Sequence, residues 1–153
     1  MGFAAAAVVP PAAVAVALVT QHVFGMQPCP WCVLQRLIFV SIALAALAAL
    51  LMRSALVRRA LAAVMAVLTA SGIAAALWQH FVAAQSASCN LTLADRIVGA
   101  TGLDAALPQV FAAYASCADA AATLLGVPYE FYSLTLFVGL GAIAICVFTR
   151  PIN

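Results

Sequence analysis

Residues 28–52 read PCPWCVLQRLIFVSIALAALAALLM. From Val33 to Met52 the one charge is Arg36. A bilayer core about 30 Å thick is crossed by about 20 predominantly apolar residues of helix, and this run has that length. Three further runs qualify. Phe3 to Phe24 is uncharged apart from His22, and Ala60 to Val82 meets Gln79 and His80 only near its end. Phe131 to Phe148 ends just before Arg150. Composition agrees. The 153 residues are 68% hydrophobic and 7% charged, whereas a soluble domain is about 45–50% apolar and about 25% charged. A water-soluble globule of this size could not hide so much apolar surface. Six arginines against four acidic residues give a net charge of +2, too little basic charge for a nucleic-acid partner.

The expected fold is therefore an all-α membrane protein. Four transmembrane helices, about 3–24, 33–52, 60–82 and 131–148, form a bundle in a single integral membrane domain over residues 1–153. The links about 25–32 and 83–130 lie on one side, and the longer one is expected to carry a short interfacial helix. Leu103, Leu107, Val110, Phe111 and Tyr114 recur there at helical spacing, and Pro108 suits the first position of a helix. Pro10-Pro11 removes two N–H donors from the first run, so that helix is expected to be kinked or frayed. The run has no Lys or Arg before it and is long for a signal-peptide core, so it is read as a span and not as a cleaved leader.

Arginine placement orients the bundle. Arg53, Arg58 and Arg59 lie between the second and third runs, and Arg150 follows the fourth. The positive-inside rule puts these in the cytoplasm with both termini. Cys29, Cys32, Cys89 and Cys117 then share the outer side, and Trp31, Trp78, Tyr129 and Tyr132 fall near outer helix ends as interface anchors. Cys146, deep in the fourth run, is expected to be a small buried apolar residue.

Four sulfurs in an oxidising compartment read as two disulfides. The alternatives are a zinc site, since four cysteines could supply its ligands, and two inert structural bridges. Cys29-Pro30-Trp31-Cys32 is a C-x-x-C just before a helix, where the positive end of the helix dipole favours a thiolate. Arg36 lies one turn further along the same face and favours the same anion. An ionisable residue at membrane depth is a functional candidate by default. Cys89 and Cys117 stand 28 positions apart in the long link. A bridge between them would be either a stabilising loop closure or a disulfide open to exchange. His22 and His80 both fall near the outer face, as helix-end caps, haem ligands or hydrogen-bond donors to a quinone.

Gln21-His22-Val23, Pro28-Cys29-Pro30-Trp31-Cys32 and Arg36 together resemble the bacterial disulfide bond formation protein B family. The similarity extends to Cys89, to Leu107-Pro108-Gln109-Val110-Phe111 through Cys117-Ala118, and to Leu125-Gly126 before the fourth run. The short tail after Arg150 and the Pro30-Trp31 filling of the C-x-x-C depart from the family pattern.

The resemblance implies a protein-dithiol:quinone oxidoreductase of the bacterial inner membrane, with its cysteine loops periplasmic. Its disulfides would be Cys29–Cys32 and Cys89–Cys117. A reduced thioredoxin-like partner of the DsbA kind would attack at Cys89, and Cys117 would then attack Cys29. Cys32 would pass electrons to membrane ubiquinone or menaquinone. Arg36 matches the family's quinone-site arginine, and His80 matches a position near the quinone. The rival readings are a reductase resembling vitamin-K-epoxide reductase and an outer-face metal-binding module.

Overall fold

The structure is a computed structural model and describes residues 2–85 and 91–149. Gly2–Phe24 forms α1, Pro30–Leu51 α2 and Ala55–Phe81 α3. A single 3₁₀ turn follows at Ala83–Gln85. The long link then holds α4 (Leu93–Thr101), α5 (Leu103–Ala106), α6 (Pro108–Phe111) and a two-stranded antiparallel hairpin, β1 (Thr123–Leu124) with β2 (Val127–Pro128). Tyr129–Phe148 forms α7. Helices α1, α2, α3 and α7 are each long and apolar enough to cross a membrane. They pack in the ring order α1, α2, α3, α7, and α7 closes back on α1.

One end of this bundle is marked by arginine. The Arg58 guanidinium lies 5.4 Å over the Phe3 ring and that of Arg59 lies 4.9 Å over Phe148. These contacts tie the head of α3 to the first turn of α1 and the last turn of α7. Ser54 caps α3, its hydroxyl accepting from the Val57 amide. Arg58 and Arg59 are therefore helical, and the link between α2 and α3 shrinks to 52–54.

Helix α1 runs as one helix through Pro10 and Pro11, with Pro10 buried, so it neither frays nor restarts there. In a bundle, neighbouring helices can shelter the backbone groups that proline frees. Helix α2 begins at Pro30, three residues before the expected Val33. Cys29 is its N-cap, with its sulfur accepting from the Cys32 amide at 3.3 Å. Proline at the first helical position has its φ already set and no N–H to leave unpaired. The principal helix of the long link is α4, not one centred on Pro108. It is opened by a Thr92/Asp95 capping box and closed by Gly102 at φ 68°. Pro108 does start a helix, of only one turn.

The core is built for close approach. Phe39 and Phe137 stack with centroids 4.1 Å apart. A Cβ on Gly72 would stand 2.5 Å from the Phe137 ring, so only glycine lets α3 sit this close to α7. Ala46, Ala49, Ala62 and Ala144 are fully buried between the helices. Small residues serve membrane bundles in this way because lipid supplies little hydrophobic drive between helices. Val16, Leu44, Val67 and Val138 point outward, as a lipid-facing surface allows. Cys146 is exposed on that surface and is not the buried residue expected. Trp31 departs from expectation too. It is buried and sits 6.2 Å from Trp78, which alone of the two stays open as an anchor.

Gly72→Ala should force the Phe39–Phe137 stack apart and destabilise the bundle by about 1–3 kcal/mol. Gly139→Ala, whose Cβ would meet nothing within 4 Å, should be neutral. Thermal unfolding midpoints in detergent check this, and equal midpoints for the two variants would contradict the packing.

Candidate functional site: a sulfur row beside a buried arginine

The long link is drawn onto the head of α2 by its backbone. The Tyr114 and Ala115 amides both donate to the Pro28 carbonyl, at 3.0 and 3.4 Å. Ala94 and Val98 of α4 pack into the core that also holds Cys29 and Trp31. This brings Cys117 against Cys29. Cys117 is buried, not held out in water as expected for an exchange cysteine. Cys29 is fully buried, and its sulfur lies 2.9 Å from that of Cys32. The three sulfurs therefore form a row, with Cys29 in the middle. Cys89 lies outside the described residues.

Their shared hydrogen bond shifts the Cys29 and Cys117 thiols in opposite directions. The Cys29 thiol is pushed up by its hydrogen bond to Cys117, then by that to Cys32 and by burial. Cys117 is held below the ordinary thiol range by its hydrogen bond from Cys29, and burial opposes that effect. Of the two, Cys117 ionises the more readily and is the readier nucleophile.

Arg36 is buried one turn below Cys32. Its Nη1 donates to Gln21 Oε1 at 2.7 Å and to the Val110 carbonyl at 2.9 Å, and its Nη2 donates to the Ala17 carbonyl at 3.4 Å. All three acceptors are neutral. Among the described residues no carboxylate lies within ion-pair distance of it. The positive charge is thus hydrogen-bonded but not neutralised, a state that favours an anion nearby.

Cys32 has a second polar neighbour. Gln79 of α3 donates through Nε2 to the Cys32 sulfur at 3.2 Å. Gln35 Nε2 donates to Gln79 Oε1 at 2.7 Å, which turns the Gln79 amide so that its NH₂ faces the sulfur. Cys32, Gln35, Gln79 and Arg36 open onto one cavity of about 220 Å³, whose apolar walls include Val14, Phe39 and Leu136. Tyr129 and Glu130 of α7 complete the lining.

Of the residues read from the sequence, Cys29, Cys32, Cys117 and Arg36 come together. His80 does not line the cavity. Its Nδ1 lies 2.6 Å from Glu130 Oε1, so it stands behind a carboxyl that does. His22 is exposed at the end of α1. Gln35, Gln79 and Glu130 are additions that the sequence does not single out. A signal for Gln35 was present, because Cys32, Gln35 and Arg36 fall at i, i+3 and i+4 on one helical face. Glu130 is the one glutamate of the chain and stands at the mouth of a span.

Comparison with known proteins places the chain in one family. Residues 1–147 match the family model described as disulfide bond formation protein DsbB. Disulfide bond formation protein B of Stutzerimonas stutzeri (strain A1501) is 31% identical over 136 residues, covering 86% of this chain and 83% of that protein. The protein of the same name from Aromatoleum aromaticum is 34% identical over 140 residues, covering 87% and 82%. That from Ralstonia nicotianae is 35% identical over 131 residues, covering 80% and 76%. No solved structure matches the chain.

A lowered thiol pKa keeps thiolate present at lower pH. Alkylation of Cys117 in the fully reduced protein should therefore set in at lower pH than for an unperturbed cysteine. Cys29→Ala removes the hydrogen bond and leaves burial, so the profile should move to higher pH. Iodoacetamide labelling followed by peptide mass spectrometry measures it, and an unmoved profile would contradict the pairing.

Proposed function

This chain belongs to the disulfide bond formation protein B family, oxidoreductases of disulfide bond formation in the inner membrane, and on that premise we propose that it is a protein-dithiol:quinone oxidoreductase. It acts as one integral membrane domain over residues 1–153. It oxidises a periplasmic thioredoxin-like partner of the DsbA kind and delivers the electrons to membrane ubiquinone or menaquinone. Both termini are cytoplasmic and the cysteine end is periplasmic, because Arg53, Arg58 and Arg59 lie at the opposite end of the bundle.

The single observation that supports this best is the sulfur row. Cys29 lies between Cys117 and Cys32, and Cys32 opens onto the cavity beside Arg36. In the resting enzyme the pairs are Cys89–Cys117 and Cys29–Cys32. A partner thiolate attacks Cys89, and the Cys117 thiolate leaves. Cys117 then attacks Cys29. The Cys29–Cys117 bond forms, the Cys29–Cys32 bond breaks, and Cys32 is left as a thiolate. Gln79 donates to that sulfur, and Arg36 places a positive charge one turn away. Both stabilise the released anion in a site of low dielectric, where such interactions are strong.

The residues around the cavity fit a quinone head group. A cavity of about 150 Å³ takes a benzene ring, and this one is somewhat larger. Its walls are mainly apolar, with an uncompensated guanidinium and an amide at one side. A bound quinone supplies a two-electron acceptor within reach of the membrane. Arg36 and the Gln35–Gln79 pair would hold and orient its oxygens, and Phe39, Val14 and Leu136 would exclude water.

Anaerobic mixing of partner-reduced protein with a soluble ubiquinone analogue tests the reading. Wild type should form quinol, and Cys29→Ala and Cys32→Ala should form none while both retain the Cys89–Cys117 disulfide on isolation. Absence of quinol from wild type, or an undiminished rate in Cys32→Ala, would refute it.

A further inference from the structure

We propose that Glu130 and His80 form a proton relay that feeds the cavity. The inference rests on the quinone reading above and adds to it the route by which protons arrive. Oxidising a dithiol to a disulfide releases two electrons and two protons, and reducing a quinone to quinol consumes two of each. The electrons reach the cavity through Cys32. The protons do not travel with them, because the exchange steps pass thiolates along the sulfur row and release the thiol protons at the partner. Two protons must therefore enter the cavity separately in each turnover.

Ser133, Gln35 and Gln79 also line the cavity but are not acids, and the ionisable lining residues leave one donor for that task. Cys32 arrives deprotonated. Arg36 keeps its protons on Gln21, Val110 and Ala17. The Tyr129 hydroxyl is engaged with Thr20 Oγ1 at 3.3 Å, and the Tyr132 hydroxyl donates to the Leu124 carbonyl at 2.7 Å. The α1 face of the cavity, Ala13, Val14, Val16 and Ala17, carries no titratable group. Glu130 remains.

Glu130 is also the lining residue with a connection outward. Its side chain is 9% exposed, while that of His80, 2.6 Å away, is 31% exposed. The imidazole stands in the last turn of α3, between the rings of Phe81 and Phe131, with centroids at 4.9 and 4.7 Å. Nδ1 meets the carboxyl, and the ring is the more exposed member of the pair. In each cycle His80 takes a proton from water at Nε2 as it passes its Nδ1 proton to Glu130, and exchange with water then returns the neutral ring to its Nδ1–H tautomer. Glu130 passes its proton to the reduced head group. Two cycles complete a quinol. His80 thereby acts through Glu130 and not by direct contact with the head group.

Glu130 is the chain's one glutamate, so labelled glutamate reports on it without any mutation. In time-resolved, isotope-edited infrared spectra of wild type, the Glu130 carboxyl should lose and regain its proton in the phase in which quinol forms. A carboxyl that stays static through that phase would overturn the relay. In single-turnover quinol formation by dithiol-reduced protein, Glu130→Gln and His80→Gly should each slow the step by about 10²-fold. Added imidazole should restore His80→Gly and leave Glu130→Gln slow. An unchanged rate in Glu130→Gln, or a slow His80→Gly that imidazole does not restore, would also overturn it. Absence of quinol from wild type would instead remove the quinone reading itself.

Discussion

The guanidinium of Arg36, buried among neutral oxygens, is the constraint on which the rest of this molecule depends. Taking a charge out of water costs several kcal/mol even after relaxation, and at membrane depth such a residue persists only with partners. Arg36 finds them on two separate pieces of chain: Ala17 and Gln21 of α1, and Val110 of the long link. The link is thereby fastened to the bundle from below, while Pro28 fastens it from above through the Tyr114 and Ala115 amides. Gln21 adds a further tie, its Nε2 donating to the Gln109 carbonyl at 3.4 Å. Cys117 can sit on Cys29 because the chain that carries it is held at both levels.

The same charge prepares the chemistry. Its partners satisfy its hydrogen bonds without cancelling its charge, so the neighbouring cavity stays attractive to an anion. Cys32 is placed at the edge of that cavity by the first turn of α2, whose start is set by Pro30 and capped by the Cys29 sulfur. The residue that caps the helix is thus also the central member of the sulfur row. Gln35 and Gln79 extend the preorganisation across to α3. Each amide is buried and has its partner, so the pair holds its geometry without needing water.

Much of this was legible in the sequence because lipid imposes simple rules. Four apolar runs read as four helices, arginine placement separates the two ends, and Cys29, Cys32, Cys117 and Arg36, all singled out by their residue type, come together in space. What stayed hidden depended on tertiary contact. Gln35 and Gln79 are uncharged and stand out little in an apolar run, and only the approach of α2 to α3 makes them a pair. Helix α4 was overlooked in favour of the apolar repeat around Pro108, although Thr92 and Asp95 spell its capping box. The position of Trp31 at a helix end suggests an anchor, but α4 packs into the core that holds it. The depth of Cys146 in its span suggests burial, yet depth does not say which side of a helix faces lipid. Cys117 stands in a long link, which by itself suggests exposure, but the backbone bonds to Pro28 bring it inside.

The most direct test of the role given to Arg36 is the equilibrium affinity for a soluble quinone analogue in Arg36→Met, followed by quenching of tryptophan fluorescence. Methionine keeps much of the side-chain bulk and removes the charge. Hydrogen bonds to charged groups contribute about 1.5–3 kcal/mol, so affinity should fall by about 10- to 100-fold, with the Cys29–Cys32 disulfide still formed. An affinity equal to that of wild type would show that the buried charge does not build the site.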